Sequence, residues 1–320
     1  MNLVDDEVTQ TVAVTGAGGY VGSRLVRLLA ARPGVAVRAL TRAPCPLPDD
    51  VEQFIGDVLV NDGGLAKLLD GADTVVHLAG PNEVEAAADP GHTVVDVVSA
   101  AMRVAEDGVR AGVARAVYIS TVHVYGASLR PGAHVDEGTP CEPQSAYAIG
   151  RLAAEELLSA YGPPGTVVFR LTNAVGAPAS GGVQRSSLVA NDLCRQGVTT
   201  GRLRLRGDGL QWRDFVALSD VCRIVADVAV SNRLDPGIYN LGHGRPLRVR
   251  DLAAMIQDEF EAAGADRPVL EMPASEAVET NPPKVSVARL ARAGFRAVSP
   301  IRGAVAETIQ FCLAHREELR

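Results

Sequence analysis

The chain has 320 residues, of which 47% are hydrophobic and 22% are charged, and its formal net charge is −7. This length and composition are typical of a soluble globular protein with one large domain or two closely joined domains. The negative charge and the lack of a basic cluster argue against a nucleic-acid-binding surface. No run of ~18 uncharged apolar residues is present, so we expect no membrane span.

The cysteines are scattered, without the paired spacing of a disulfide set or a metal site. They are Cys45, Cys141, Cys194, Cys222 and Cys312. This pattern is typical of small buried hydrophobic residues in a reducing compartment. The segment 1–10 is acidic and does not resemble a secretory signal. We therefore expect a cytoplasmic protein with no metal ion in its site.

The first predicted elements are a strand, a glycine-rich turn and a helix over residues 11–29. Three glycines recur at a spacing of three in the turn. Gly16 permits the tight turn, Gly19 lets the backbone approach a pyrophosphate, and Gly22 lets the helix pack closely on the strand. The start of the helix offers N–H groups and a positive dipole end to an anion. The stretch predicts a dinucleotide site, and a tight turn without a ligand is the alternative.

The predicted second strand, 35–40, ends at Thr41 and Arg42. A dinucleotide fold usually has an acidic residue here that binds the adenosine ribose. Thr41 removes the repulsion that a carboxylate would exert on a 2′-phosphate, and Arg42 can bind that phosphate through two hydrogen bonds. The sequence therefore favours NADP, with NAD as the second choice. A solvated arginine at a strand end is the alternative interpretation.

The third and fourth strands are predicted at 54–58 and 74–80. The third carries the carboxylate of Asp57, which is suited to accept a hydrogen bond from an adenine amino group. The fourth is nearly all apolar, as expected of a strand that is covered on both faces. Its small residues Ala79 and Gly80 leave room for a cofactor at the carboxyl end of the strand.

His77 lies inside the fourth strand and is interpreted as a core histidine rather than a catalyst. A helix is predicted over 94–108 and a fifth strand over 116–121. On the helix that follows, Tyr147 and Arg151 are four residues apart, so both side chains emerge from one face. Strands that alternate with helices predict an α/β fold with a doubly wound parallel sheet and ligands above its carboxyl edge.

A change in composition predicts the domain boundary. A sixth strand at 166–171 precedes a Gly/Ser/Pro-rich segment at 177–182. We expect a dinucleotide-binding Rossmann domain over 1–176. A smaller C-terminal α/β substrate lobe is expected mainly over 177–320, and some of its segments return to the Rossmann sheet.

Motifs spread over nearly the whole chain resemble the extended short-chain dehydrogenase/reductase family. This family contains nucleotide-sugar epimerases, dehydratases and ketoreductases. The matching segments follow in the family's order and are 15–22, 56–58, 77–80, 120–126, 145–147, 170–173, 207–216 and 239–242. The resemblance implies a Rossmann fold and an NAD(P)-dependent enzyme that acts on a nucleotide-linked sugar.

The resemblance implies that Tyr147 is the general acid/base and that the hydroxyl of Thr121 polarises the same substrate oxygen. Hydride transfer to a carbonyl builds an alkoxide, which needs a nearby acid and a second hydrogen bond. A free tyrosine has a pKa near ~10, so a neighbouring cation is needed for it to act near neutral pH.

The chain departs from the family at that cation, because Arg151 stands where the family has lysine. Arginine keeps a permanent positive charge and can bind the nicotinamide ribose, but it cannot relay a proton. Of the 31 basic residues only Lys67 and Lys284 are lysine, so arginine replaces lysine throughout the chain. We therefore interpret the replacement as functional, with lost or weakened catalysis as the alternative.

The predicted site residues fall into two sets. The cofactor set is Gly16, Gly18, Gly19, Tyr20, Val21, Gly22, Thr41, Arg42, Asp57, Val58, Leu78, Ala79, Gly80, Tyr147 and Arg151. The substrate set is Thr121, His123, Asn173 and Arg213. His123 is interpreted as a substrate contact or a second acid/base, with a plain loop histidine as the alternative.

The resemblance places Asn173 and Arg213 where relatives bind the nucleotide diphosphate, and an arginine suits that anion. An ion pair of Arg213 with Asp214 or Asp220 is the alternative. Relatives often have another phosphate-binding arginine before a Pro/Gly turn near 272–283, but this chain is acidic there, at 274–279. That departure leaves a different carrier or an unlinked substrate open.

The sequence thus predicts an NAD(P)-dependent oxidoreductase that reduces a ketone at a ring carbon such as C4 of a nucleotide-linked sugar. A 4-epimerase with tightly held NAD is the alternative, and a non-catalytic cofactor-binding regulator is the alternative of another class. A 4,6-dehydratase is disfavoured, because that class has an Asp-Glu pair where this chain has Val122 and His123. Relatives usually dimerise through a four-helix bundle, so we also expect a homodimer.

Overall fold

The computed structural model describes residues 10–183, 185, 187–274 and 280–319. The chain forms two compact units that alternate along the sequence. The first unit comprises 1–126, 141–170 and 222–239, and the second comprises 127–140, 171–221 and 240–320. The predicted boundary after residue 176 separates a cofactor-binding domain from a substrate-binding lobe, and that assignment stays a prediction.

The structure alternates strands and helices over most of its length. The strands are β1 Gln10–Thr15, β2 Val35–Thr41, β3 Glu52–Ile55, β4 Thr74–His77, β5 Arg115–Thr121, β6 His134–Val135, β7 Val167–Leu171, β8 Asn173–Val175, β9 Arg202–Arg204, β10 Trp212–Ala217, β11 Gly237–Leu241, β12 Pro246–Arg248, β13 Val269–Glu271 and β14 Lys284–Val285. The helices are α1 Tyr20–Ala30, α2 Gly64–Leu69, α3 Glu83–Ala88, α4 Pro90–Arg110, α5 Ala146–Tyr161, α6 Val189–Thr200, α7 Leu218–Ala229, α8 Val249–Ala262, α9 Ala288–Arg292 and α10 Ile301–Ala314. A 3₁₀ helix spans Val122–Tyr125.

A seven-stranded sheet with the order β11-β7-β5-β4-β1-β2-β3 forms the centre of the fold. The pairs β3–β2, β2–β1, β1–β4 and β4–β5 are all parallel. The strand order reverses between β1 and β4, and such a switch point opens a crevice at the carboxyl edge of a sheet. The predicted doubly wound α/β fold is confirmed.

Several strands are shorter or shifted relative to the prediction, because each ends where its partner ends. β4 pairs with β1 up to His77 opposite Thr15, and β1 stops there at the glycine turn. β3 pairs with β2 up to Ile55 opposite Thr41, the last residue of β2. The predicted residues beyond these points therefore form loops at the carboxyl edge.

Smaller sheets and helices build the second unit. Its strands form the sheet β12-β10-β8 and the pairs β13–β9 and β14–β6. Helices α6, α8 and α10 surround a separate apolar core that includes Leu193, Phe215, Leu252 and Ile309. None of the described helices is both long and apolar enough to cross a membrane.

The glycine-rich turn closes α1 tightly onto β1. Gly16 has φ +68°, a conformation that L side chains rarely adopt, and its carbonyl accepts a 3.0 Å hydrogen bond from the amide of Gly19. A Cβ atom at Gly22 would lie only 2.2 Å from the carbonyl oxygen of Gly16. The spacing of the glycines therefore follows from backbone packing.

His77 is buried in β4, as predicted. Its Nδ1 lies 2.7 Å from the hydroxyl of Thr15, and its ring stacks on Tyr118 with centroids 5.5 Å apart. Burial, with a smaller contribution from the positive charge of Arg151, lowers the pKa of His77 from 6.5 to about 3. The imidazole is therefore neutral at physiological pH.

Replacing Gly22 by alanine tests the backbone packing of the turn. The added methyl group meets backbone atoms that cannot move aside, so we expect Gly22→Ala to lower the free energy of unfolding by about 1–3 kcal/mol. Gly303 in α10 is the matched control: a Cβ there meets open space, and Gly303→Ala should raise stability by about 0.5–1 kcal/mol. Urea denaturation measures both, and equal effects of the two replacements would contradict this account.

His77 should make the protein sensitive to acid. Between pH 6.5 and about 3 the unfolded histidine binds a proton and the folded one does not, so its contribution to stability falls as the pH falls. We expect wild type to lose about 1.4 kcal/mol per pH unit more than His77→Asn between pH 6 and 4. The exposed His134 supplies the control replacement His134→Asn. Parallel pH curves for wild type and His77→Asn in urea denaturation would refute the prediction.

Candidate functional site

A cavity of about 720 Å³ opens at the carboxyl edge of the large sheet in the first unit. Its volume is in the range of small-molecule and cofactor sites. The cavity brings together the following predicted cofactor residues: Gly16, Gly18, Gly19, Thr41, Arg42, Asp57, Val58, Leu78, Ala79 and Gly80. They lie far apart in sequence and meet because the carboxyl ends of β1 to β4 share one edge.

The remaining predicted cofactor residues do not line this cavity. Tyr20 and Gly22 are buried within the packing of α1, and Val21 is half-buried there. Tyr147 and Arg151 lie on α5. Gly22 therefore acts on the cavity through the position of the helix.

The start of α1 fits a pyrophosphate. Gly19 is its exposed N-cap, no side chain caps the helix, and no acidic residue lies in its first turn. A Cβ at Gly19 would meet only the carbonyl oxygen of Gly16, at 3.2 Å. The helix thus presents backbone N–H groups and a positive dipole end over an open cradle, and the residues present fit a dinucleotide.

The end of β2 forms one wall of the cavity. The hydroxyl of Thr41 accepts a 2.8 Å hydrogen bond from Gln53 Nε2, which also lies 3.4 Å from the sulfur of Cys45. Arg42 is exposed and has no hydrogen-bond or ion-pair partner among the described residues. The guanidinium of Arg42 is therefore available to an anion at this wall. Asp57 uses Oδ1 to accept from the amide of Leu59 at 2.9 Å.

Sequence reasoning missed the wall contributed by α3 and α4. Glu85, Asp89, His92 and Asp96 line it. The ring of His92 lies 2.8 Å from the carboxylate of Asp89, and this contact lowers the pKa of Asp89 and raises that of His92. A capping box at Asn82 and an N-cap at Asp89 position these helices, and both are local signals in the sequence.

Tyr147 lies in the first turn of α5, and Ser145 caps the helix by accepting from the amide of Ala148 at 3.3 Å. The ring of Tyr147 lies 5.3 Å from the guanidinium carbon of Arg151, so the predicted pair meets on one face of the helix. The ring of the exposed His123 lies 6.5 Å away, edge-on to Tyr147. Thr121 is the buried last residue of β5, and its hydroxyl accepts from the amide of His123 at 3.2 Å.

Arg151 is only 7% exposed and is held by oxygen atoms that carry no formal charge. Nη1 donates to the hydroxyl of Tyr118 at 3.2 Å and lies 3.4 Å from the carbonyl of Ile119, while Nη2 donates to the carbonyl of Pro81 at 3.2 Å. Nε has no partner, and no carboxylate pairs with the guanidinium in the described structure. A buried positive charge without a counter-ion therefore lies beside the Tyr147 ring.

One turn after Arg151 on α5, Glu155 forms an ion pair with a second buried arginine, Arg170 of β7. The carboxylate of Glu155 is fully buried, accepts from Arg170 at 2.7 and 3.0 Å, and also accepts from the hydroxyl of Ser120. Arg170 stacks over the ring of Tyr125 at 4.9 Å. Burial raises the pKa of Glu155, and Arg170 opposes that rise. This network joins α5 to β5 and β7. Ser120, Tyr125 and Arg170 lie in segments that resemble family motifs, but the sequence did not indicate their contacts with Glu155 or with each other.

The predicted diphosphate residues lie in the second unit. Asn173 begins β8, and its side-chain amide donates to the carbonyl of Asp214 at 2.9 Å. Arg213 is exposed on β10 and donates to the carbonyl of Trp212 at 3.0 Å. Its guanidinium forms no ion pair within the described segments. It is therefore open to an anionic ligand.

The alternative for Arg213, an ion pair with Asp214 or Asp220, is not formed. Asp214 accepts from the hydroxyl of Thr172 at 3.1 Å and from the amide of His243 at 2.8 Å. Asp220 accepts from the two backbone amides at 298–299 at 2.7 and 2.6 Å. The acidic segment expected to replace a phosphate-binding arginine lies largely at 275–279, outside the described residues.

Known proteins match the chain over most of its length. A dTDP-glucose 4,6-dehydratase from Streptomyces griseus is 29% identical over 273 residues, which cover 81% of this chain and 80% of that protein. The structure of DesIV, a dTDP-glucose 4,6-dehydratase from Streptomyces venezuelae with NAD bound, has a TM-score of 0.81 at 26% identity and covers 97% and 100% of the two chains. RMD from Pseudomonas aeruginosa with NADPH has a TM-score of 0.77 at 26% identity, over 96% and 99%.

A family model adds the assignment. The model described as the NAD dependent epimerase/dehydratase family matches residues 12–242, well over half of the chain. This range contains most of β1 with the glycine turn, the β2 end, and the α5 helix with Tyr147. The chain therefore belongs to the NAD-dependent epimerase/dehydratase family.

Proposed function

We propose that the protein is an NADPH-dependent ketoreductase that reduces a ring ketone, such as that at C4, of a nucleotide-linked sugar. The observation that carries the proposal is the Tyr147 phenol beside the buried, unpaired charge of Arg151, 5.3 Å from ring to guanidinium. Reduction of a carbonyl needs a proton donor whose anion is stabilised as it forms. A permanent cation in a dry site provides that stabilisation.

A bound reduced nicotinamide would supply the hydride that the carbonyl carbon accepts, and would be oxidised in doing so. In this proposal Tyr147 donates its phenolic proton to the carbonyl oxygen, and Thr121 donates a hydrogen bond to the same oxygen. Arg151 stabilises the phenolate that remains, and water returns the proton to it afterwards. Gly16, Gly19 and the start of α1 would hold the pyrophosphate.

NADPH is proposed over NADH because of the β2 end. Thr41 puts no charge where a ribose-binding carboxylate would repel a 2′-phosphate, and Arg42 has an uncommitted guanidinium at the cavity wall. Two charge-assisted hydrogen bonds from an arginine suit a phosphate. RMD, which was solved with NADPH, gives an example of that cofactor on a related chain.

The substrate is proposed from the second unit, where Asn173 and Arg213 would bind a diphosphate. Arg213 has no ion-pair partner among the described residues, which leaves its guanidinium donors available to that anion.

The same proposal includes a homodimer through α4 and α5, whose exposed apolar residues include Val95, Val109 and Ile149. A cytoplasmic location stays a prediction.

The central test is Tyr147→Phe, assayed by NADPH oxidation with a panel of dTDP-, UDP- and GDP-linked 4-keto sugars. Loss of the proton donor should lower kcat by about 10²–10⁴-fold, with NADPH affinity within about threefold of wild type. Tyr161→Phe on the same helix is the matched control, because Tyr161 is 60% exposed. Turnover by Tyr147→Phe at the wild-type rate would refute the assigned role.

The same purified protein separates the other functions. Copurified NAD together with interconversion of C4 epimers would identify a 4-epimerase. NADPH binding without turnover of any sugar in the panel would identify a non-catalytic regulator.

Cofactor choice is tested by Arg42→Gln. Removal of a charge-assisted phosphate contact should lower kcat/KM for NADPH by about 10–100-fold and leave that for NADH within about threefold. Arg38→Gln is the control, because Arg38 lies on β2, the strand that Arg42 follows, does not line the cavity and is paired with Glu52. An equal effect of Arg42→Gln on both cofactors would contradict the assignment.

A further inference from the structure

The phenol of Tyr118 is a buried polar group for which the proposed mechanism has no use. Tyr118 lies in the middle of β5 and is 0% exposed. The one hydrogen bond of its hydroxyl within the described structure is the 3.2 Å contact with Arg151 Nη1. Burial raises the pKa of Tyr118, so its hydroxyl is neutral at physiological pH and is an uncharged acceptor for the guanidinium.

The ring of Tyr118 is fixed from its other side. It stacks on His77 with an interplanar angle of 21°, and the hydroxyl of Thr15 holds that imidazole at 2.7 Å. Thr15 is the residue before the glycine turn of β1. A line of contacts therefore runs from the glycine turn through two stacked rings to Arg151, and the phenol oxygen cannot follow the guanidinium if it moves.

The position of the Arg151 guanidinium depends on the Tyr118 hydroxyl, because its other hydrogen-bond contacts are few. Without it, Nη1 keeps only the 3.4 Å contact with the carbonyl of Ile119, at the limit of hydrogen-bond distance. Nε has no partner, and Nη2 donates to the carbonyl of Pro81. A guanidinium is planar and points its five donors in fixed directions, so it needs acceptors at fixed places.

We propose that Tyr118 is a positioning residue that holds Arg151 against Tyr147, and that this phenol is required because the cation at position 151 is arginine. A lysine ammonium is compact and turns its three donors freely, so it can use the carbonyls and water without a fixed phenol. The inference rests on the proposed function for the role of Arg151. It adds that Tyr118 and Arg151 form one functional pair.

A double-mutant cycle tests the pair with Tyr118→Phe, Arg151→Lys and the combined variant. In the arginine background, Tyr118→Phe should lower kcat about tenfold with KM for the sugar within twofold, and should weaken NADPH binding about fivefold by fluorescence titration. In the lysine background, Tyr118→Phe should change kcat and NADPH affinity by less than twofold each. Tyr239→Phe is the control, because it removes another buried tyrosine hydroxyl of the first unit, one that donates to the carbonyl of Asp235.

The cycle separates positioning from general stability. A purely structural role would make Tyr118→Phe equally costly in both backgrounds and lower the thermal midpoint equally, and this result would overturn the inference. No effect of Tyr118→Phe in the arginine background would also overturn it. If wild type turns over no sugar in the panel, the proposed function fails, and the NADPH-binding cycle alone then decides the inference: coupling supports it, and equal losses overturn it.

Discussion

The arrangement of the first unit depends on a buried guanidinium that has no carboxylate partner. Removing a charge from water costs several kcal/mol unless oriented dipoles replace the solvent. Around Arg151 these dipoles are the carbonyls of Pro81 and Ile119 and the hydroxyl of Tyr118. They come from β5 and from the loop that follows β4, so they surround the guanidinium only when β4, β5 and α5 are packed as observed. The same requirement fixes Tyr147, four residues before Arg151 on α5.

The two buried arginines near α5 differ in whether a carboxylate pairs with them. Arg170 is neutralised by Glu155, and this pair joins α5 to the sheet. A neutralised cation adds little to the potential at a neighbouring group, whereas an unpaired one in a dry site acts at close to full strength. Arg151 is the unpaired one, and it lies beside the phenol. The difference between Arg170 and Arg151 therefore follows from the position of Glu155, which reaches Arg170.

The sequence predicted the parts of the site that depend on residues close together in the chain. The glycine turn, the cap at Ser145 and the i, i+4 relation of Tyr147 and Arg151 depend on neighbours within a few residues. Strand ends were less accurate, because β3 and β4 end where their partners end. The contacts of Gln53 with Thr41 and of Tyr118 with Arg151 join distant segments, and no spacing rule indicates them. The caps of α3 and α4 are local signals, but no local pattern indicates that these two helices line the cavity.

The cavity also has a charge asymmetry that only the folded chain reveals. Arg42 and the start of α1 make one part favourable for phosphates, while Glu85, Asp96 and the His92-paired Asp89 make the wall from α3 and α4 less favourable for them. At a cavity's effective dielectric constant, charges a few ångströms apart interact by ~1–4 kcal/mol, which is enough to select one orientation of an anionic ligand. If NADPH is the cofactor, as proposed, these charges would favour a pose with its anionic groups toward Arg42 and the start of α1. In that pose the acidic side chains would restrict the orientation of the cofactor without preventing its binding.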